Sequence, residues 1–304
     1  MITIITVSWI YHTITAKKEL TETPPIGKLV EVNGHDMHVY AKGKGKNTIV
    51  FMSGGGTSSP TLDFQPLWSR LSSQYRIAVI EKAGYGWSEV ADVSRDIDFI
   101  LKETREALKL AGEKPPYVLA PHSMSGLEAI RWAQQYPDEV EAIIGLDPAI
   151  PESYQSMNLP SSFIQSIVAF TSRTGLLRLF PSVANSSAAI ESDKLSADDQ
   201  KTYRAIFHRR TLTKNMRVEV KQVQENAAKV DKEPIPTSTP MYFFISNGTD
   251  VEIPDWQEML SSYTKQLENG NHLFLNSGHY VHELEPERIA KEIDAFLTSL
   301  DGES

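Results

Sequence analysis

The chain has no cysteine in its 304 residues, which excludes structural disulfides, thiolate zinc sites and a cysteine nucleophile. It has no basic excess either. Lys and Arg number 30 against 39 Asp and Glu, a formal net charge of −9, whereas a nucleic-acid binder would usually carry a basic face. No internal period of solenoid length is present. A long apolar run is missing too; the nearest thing to one is Ile2 to Thr15, interrupted by threonines and followed by Lys17 and Lys18. As a helix it would span about 21 Å, short of the roughly 30 Å hydrocarbon core of a bilayer. It has no basic n-region and no small-residue cleavage site, so a complete signal peptide fits poorly. Two readings stand: an amphipathic helix or strand packed on the domain, or the end of a membrane anchor with Lys17 and Lys18 at the interface. The second implies peripheral or anchored membrane association through residues 2–15.

What the sequence does contain is an alternation of short apolar strands with helices. Leu29–Val32 and Met37–Tyr40 flank Asn33-Gly34 as a β-hairpin. Buried strands are expected at Thr48–Met52, Ile77–Ile80, Tyr117–Ala120, Val140–Leu146 and Met241–Ser246, with a further one at His272–Leu275. Helices are expected at Phe64–Tyr75, Ser94–Ala111, Ser125–Tyr136 and Pro286–Leu300, and Gly112 suits the C′ position of the second. Such alternation implies an α/β fold with a mostly parallel sheet flanked by helices. It breaks once, from Pro151 to Thr239, where Ser161–Phe180 and Ala197–Lys229 are the helical candidates. The organisation expected is therefore an apolar segment 1–25, a core of 26–150 and 240–304, and a helical cap of 151–239. A cap there would lie over the C-terminal ends of the strands, where open α/β folds bind ligands.

Pro121-His122-Ser123-Met124-Ser125-Gly126 follows the third buried strand and opens a helix. Strand, sharp turn with a central serine, then helix is the context a nucleophile elbow needs: the turn lifts the hydroxyl above the sheet, and the helix N-terminus favours developing negative charge. Pro121 and Ser125 stand where small glycines are expected, so Ser123 also reads as a plain helix N-cap. Ser53-Gly54-Gly55-Gly56 follows an earlier strand. It is a flexible loop, or a backbone oxyanion donor formed by the Gly55 N–H together with that of Met124; the Walker pattern fails because no Gly-Lys-Ser/Thr follows. Asp250, beyond the strand Met241–Ser246, and His279, between the last strand and the last helix, complete the chain order Ser, Asp, His that this architecture uses. Agreement of these features in order is what favours a triad of Ser123, Asp250 and His279. Asp147, at the end of the fourth strand, is the alternative acid. His122, beside the serine, reads as structural; His272 and His282 lack the preceding Gly loop of the base, and His35 and His38 sit on a hairpin, a poor metal site.

Over about Lys28 to Leu300 the chain resembles the α/β-hydrolase superfamily. Leu119 to Gly126 is similar to its elbow, Glu81 to Ser88 to its Asp-x-x-Gly-x-Gly-x-Ser turn, and Gly278-His279 with Glu283 to Glu287 to the segment that carries its catalytic histidine. The departures are Pro121, Ser125, and Ser53 where a histidine often precedes the oxyanion loop. The resemblance implies a serine hydrolase that cleaves a carboxylic ester or related acyl bond of a small molecule, with no metal or organic cofactor. Dehalogenases and epoxide hydrolases of this fold place Asp at the elbow, and proline-specific aminopeptidases usually show Gly-Gly-Pro-Gly rather than Gly54-Gly55-Gly56-Thr57. A peptidase or C–C hydrolase with the same triad, and a near-inactive ligand-binding homologue, are the alternatives. A cytoplasmic protein and a membrane-anchored one with an extracellular catalytic domain are both compatible with the sequence.

Overall fold

A computed structural model describes residues 2–302 of the chain, apart from 156, 158 and 160. The hairpin forms as expected from β1 (Lys28–Val32) and β2 (His35–Lys42). Val32 pairs with His35 across Asn33 and Gly34, whose φ values are 51° and 81°, the paired positive φ of a type I′ turn. The remaining strands are β3 (Thr48–Met52), β4 (Arg76–Glu81), β5 (Tyr117–Ser123), β6 (Val140–Pro148), β7 (Met241–Ile245) and β8 (Gly270–Phe274). All eight form one sheet in the order β1-β2-β4-β3-β5-β6-β7-β8. The two hairpin strands run antiparallel at one edge, and every pairing from β4 to β8 is parallel.

Helices cover both faces, and the strands divide their side chains between two cores with period two. Val50, Met52, Ile80 and Leu119 pack with α4 (Ile97–Ala111), α5 (Gly126–Gln135) and α11 (Trp256–Thr264). Ile49, Phe51, Val79, Val118 and Ile144 pack with α3 (Gln65–Leu71) and α13 (Pro286–Gly302). The helix α4 is capped at both ends: Asp96 accepts from the Asp98 N–H, and Gly112 takes φ 98°. That places its start three residues beyond Ser94, because the Asp96 carboxylate supplies the cap.

Between β6 and β7 lie α6 (Ser162–Arg173), α7 (Pro181–Asn185), α8 (Ala188–Glu191), α9 (Ala197–Arg210) and α10 (Lys214–Asp231). The long helix expected over Ala197–Lys229 is two helices, because Leu212 turns through φ 49° and Thr213 caps α10 by accepting from the Met216 N–H. The helix expected over Phe64–Tyr75 is the shorter α3, Gln65–Leu71, and a separate turn of helix, α2 (Pro60–Asp63), precedes it. At the N-terminus α1 (Ile2–Glu22) is a helix longer than the apolar stretch itself. Last, α12 (Val281–Leu284) precedes α13.

Candidate active site

Three parallel strands side by side, β5, β6 and β7, bring the site residues together at their carboxyl ends. β5 ends at Ser123, a residue with φ 52°. That region costs a non-glycine side chain energy and persists only where the surroundings impose it. Here they do: the Ser123 carbonyl accepts from the Ala149 N–H at 2.8 Å, and the Ser125 N–H reaches the His122 carbonyl at 3.2 Å.

The two departures at this turn have structural explanations. Ser125 is not a spoiled glycine. Its buried hydroxyl lies 2.7 Å from the Met52 carbonyl and 2.9 Å from that of His122, tying the end of β3 to the turn. The glycine with no room for a side chain is Gly126, where a Cβ would strike the Ala149 carbonyl oxygen. Pro121 stands opposite Met52 of β3, and the β5–β6 pairs pass it by, from Leu119–Ile143 to His122–Leu146, so a strand residue without an N–H is tolerated there.

Asp147 stands at the end of β6 and also has a positive φ, 51°. Its buried carboxylate is fully engaged. Oδ1 accepts from the Ser246 N–H and the Trp256 indole N–H, both at 2.8 Å, and Oδ2 lies 2.6 Å from His279 Nδ1. Asp250 is placed differently from the sequence expectation. It is exposed, and its Oδ2 faces the His279 backbone N–H at 3.4 Å, close against Gly278, where a Cβ would clash with it. The imidazole partner is therefore Asp147 and not Asp250. The reason is lateral: β6 adjoins β5, and Ser123 is in register with Pro148, the neighbour of Asp147, whereas Asp250 lies five residues beyond the end of β7. Sequence reasoning missed Ser246 and Trp256. The only available signal was the indole four residues upstream of Leu260 on a helix, α11, that was not anticipated.

Gly54 and Gly55 flank the turn as a pair. A Cβ on Gly54 would lie 2.9 Å from Ser123 Cβ, and one on Gly55 would lie 3.0 Å from Met124 Cε. The glycine loop and the Met124 segment thus meet, with Gly54 closer to Ser123 than the expected Gly55. Gly56 has φ 79° and donates its N–H to the Tyr85 hydroxyl at 3.4 Å.

The other histidines settle into packing roles. His122 stacks 4.6 Å from both the His279 and His282 rings, and its Nε2 lies 3.2 Å from the His279 carbonyl oxygen. Burial, with His279 and His282 adding to it, pushes His122 well below the usual imidazole range, and burial pushes His282 down to about 3. Both are neutral spacers behind His279. His272 meets Thr264 Oγ1 at 2.9 Å, His38 meets Glu81 at 3.0 Å and His35 meets Glu103 at 3.4 Å. Among the described residues no group of three or more His, Asp or Glu side chains is arranged to hold a metal ion.

The helical block between β6 and β7 is joined to this end of the sheet by buried charge. Lys82, just after β4, lies 2.7 Å from Glu128 of α5 and pairs with Glu219 of α10. Burial works against the ammonium, but the two carboxylates hold Lys82 charged. Glu219 also lies 3.5 Å from Arg95, itself 3.4 Å from Glu103. The Lys82 ammonium stands 5.0 Å over the Tyr85 ring, so the block, α5 and the glycine loop meet through one set of contacts.

A strained serine between a central parallel strand and a helix, with a carboxylate-held histidine beyond the neighbouring strand, is the layout of the α/β-hydrolase class. The chain belongs to the alpha/beta hydrolase family, which it matches over residues 49–292. It is 34% identical over 298 residues, 93% of this chain and 89% of the other, to the protein named Uncharacterized protein YbdG of Bacillus subtilis (strain 168). Among solved structures, Cfl2 from Burkholderia cenocepacia aligns with TM-score 0.65 at 21% identity, covering 88% of this chain and 94% of that one. The haloalkane dehalogenase DbeA-M1 loop variant from Bradyrhizobium elkanii aligns with TM-score 0.63 at 15% identity, covering 90% and 97%. These two likenesses concern the fold.

Proposed function

We propose that the chain is a serine hydrolase that cleaves a carboxylic ester or related acyl bond through an acyl-enzyme on Ser123. The observation that carries this reading is the 2.6 Å contact between Asp147 and His279 Nδ1, at the carboxyl edge of the strand beside Ser123. An Nδ1–H donated to a carboxylate leaves Nε2 as the basic nitrogen. His279 Nε2 takes the Ser123 hydroxyl proton as Oγ bonds to the substrate carbonyl carbon. The proton passes to the leaving alcohol as the ester C–O bond breaks. Water then adds to the acyl carbon, losing its proton to His279, and the acid departs as Ser123 Oγ regains a proton.

Asp147 orients the imidazole and stabilises its charged form. The N–H groups of the glycine loop, Gly55 with Gly54 beside it, and of Met124 supply the oxyanion contact. Asp250 braces the main chain of His279. In this reading residues 151–239 form the cap and set which acyl group enters, with the Lys82 contacts holding the cap in place.

A fluorophosphonate probe with a p-nitrophenyl ester series of graded chain length tests the proposal. Labelling should vanish in Ser123→Ala, and turnover should fall far more in Asp147→Asn than in Asp250→Asn. Undiminished labelling of Ser123→Ala would defeat the reading.

A further inference from the structure

Helix α1 is attached to the rest of the protein by the wrong face for a helix in water. Its contact stripe is polar: Ser8 is buried, His12 and Glu19 are half-buried, and Thr23, just past the end, is buried. Arg178, between α6 and α7, receives that stripe, with its guanidinium 2.7 and 2.6 Å from the two Glu19 oxygens and 2.9 Å from His12 Nδ1. Apart from the half-buried Ile5, the large apolar side chains point away. Ile4, Val7, Trp9, Ile10, Tyr11 and Ile14 are each exposed by about half or more. A surface helix of a soluble protein does the reverse, and a contiguous apolar patch marks a surface that has a partner.

A second helix repeats the pattern beside it. In α6 the residues Phe163, Ile164, Ile167 and Phe170 follow helical spacing and are all exposed, Phe163 by 72%. The turn just past the end of α6 lies against α1 at Gly175, where a Cβ would run into His12 and the Ser8 carbonyl.

Charge specifies the partner. The chain has 39 acidic residues, yet none falls within residues 2–18 or within 153–190, while Lys17, Lys18, Arg173 and Arg178 do; of these, Arg178 is paired with Glu19 and Lys18 lies 3.5 Å from Glu22. At the junction of the two helices a cavity of about 250 Å³ is lined by His12, Arg173, His208, Arg209 and Lys214 among others, with no acidic side chain in the lining. Lys214 is satisfied by Asp92 at 2.6 Å. Arg209 is not satisfied in this way: its buried Nη1 has no hydrogen-bond partner. An apolar face with an aromatic pair, beside a cationic cavity with no acidic side chain in its lining, fits the interface of an anionic bilayer, with apolar side chains among the acyl chains and basic ones among the headgroups. Among the described residues no helix is long and apolar enough to cross a membrane.

We infer that α1 and α6 form one docking surface for an anionic lipid bilayer, on which the protein lies with the Arg173–Arg209 cavity taking a lipid phosphate. The inference stands independently of the chemistry at Ser123. Flotation of the full chain with phosphatidylcholine vesicles, with and without phosphatidylglycerol, tests it. Binding should be about tenfold or more stronger to the anionic vesicles and should weaken as salt rises, because surface charge is screened. The pair Trp9→Glu with Ile10→Glu, and separately Phe163→Glu with Ile167→Glu, should each lower binding by about tenfold or more. Arg173→Gln with Arg209→Gln should remove the anionic preference and leave residual binding to neutral vesicles. Unchanged thermal midpoints in all three variants would show that the fold is intact. Equal binding to both vesicle types, or full binding by the α6 variant, would overturn the inference. So would a dimer in buffer that the apolar substitutions dissociate, since a second copy would then be the occupant.

Discussion

The carboxyl edge of the sheet and the α1–α6 flank treat polar groups in opposite ways. At the sheet edge, Asp147, Ser125, Lys82 and Glu128 are buried, and each has hydrogen-bonding or ionic partners within the fold. At the flank, the polar stripe of α1 faces the protein and the large apolar side chains face outward. The first region spends its interactions on geometry, because a serine and an aspartate at positive φ stay there only if their neighbours leave no alternative. The second leaves its apolar area uncovered, as the proposed docking surface requires. The lesson is that exposure matters less than which chemical type is exposed.

If the comparison is sound, substitutions at the sheet edge should be costly in buffer and those at the flank almost silent. The largest effect is expected at Asp147. Asp147→Asn should lower kcat by about 10³- to 10⁴-fold, as loss of the orienting acid does in related triads, while Asp250→Asn should lower it by under about tenfold. Steady-state ester hydrolysis measures both, and the reverse ranking would dismantle the site as drawn.

Lys82→Ala leaves Glu128 buried without its cation and Glu219 with Arg95 alone, so about 3–5 kcal/mol should be lost in urea unfolding. A loss below about 1 kcal/mol would mean that the buried charges are not coupled to the fold.

The histidines behind His279 sharpen the comparison through pH. His282 is held at about 3 in the fold against 6.5 in the unfolded chain. Its contribution is therefore complete above pH 6.5 and is lost as pH falls, by about 1.4 kcal/mol per pH unit. His282→Gln should remove that slope between pH 6 and 4. Asp63, which burial raises to about 7, acts with the opposite sign in the same window: it loses stability as pH rises from about 4 to 7. Measuring His282→Gln in an Asp63→Asn background separates the two. An unchanged slope there would contradict the buried neutral imidazole.

Smaller effects follow. Ser125→Ala should cost about 1–2 kcal/mol, because the Met52 carbonyl loses its buried donor. At the other extreme, Ile10→Gln on the outer face of α1 should shift unfolding in buffer by no more than about 0.5 kcal/mol. A large loss at Ile10 would show that α1 is covered by protein and not by a partner.

Much of this architecture was legible before the structure. The Asn33-Gly34 hairpin, the strands β3 to β7 and Gly112 after α4 are local signals, set by turn chemistry and apolar runs only a few residues long. Ser123, His279 and the glycine loop were legible for the same reason, since each sits in a short motif tied to one strand end. Asp147 and Asp250 were not separable that way. Both are aspartates at or beyond the carboxyl end of a strand, and nothing within ten residues of either says which one faces the imidazole. The helix α11 escaped because its N-terminal Asp255 is left-handed and offers no side-chain cap to read.

Sequence alone therefore determined the class of fold and the placement of Ser123 and His279 at strand ends, because strand ends and turns depend on local backbone preference. It also determined the acid-free, basic character of residues 2–18 and 153–190, which is composition and needs no coordinates. Tertiary structure alone decided that Asp147 holds His279, because that depends on β6 lying beside β5. It alone showed that Ser125 is a brace between β3 and the elbow, and that α1 docks through its polar stripe. Each of these is a contact between segments distant in the chain, and such contacts are set by packing of the whole sheet and not by any one stretch of it.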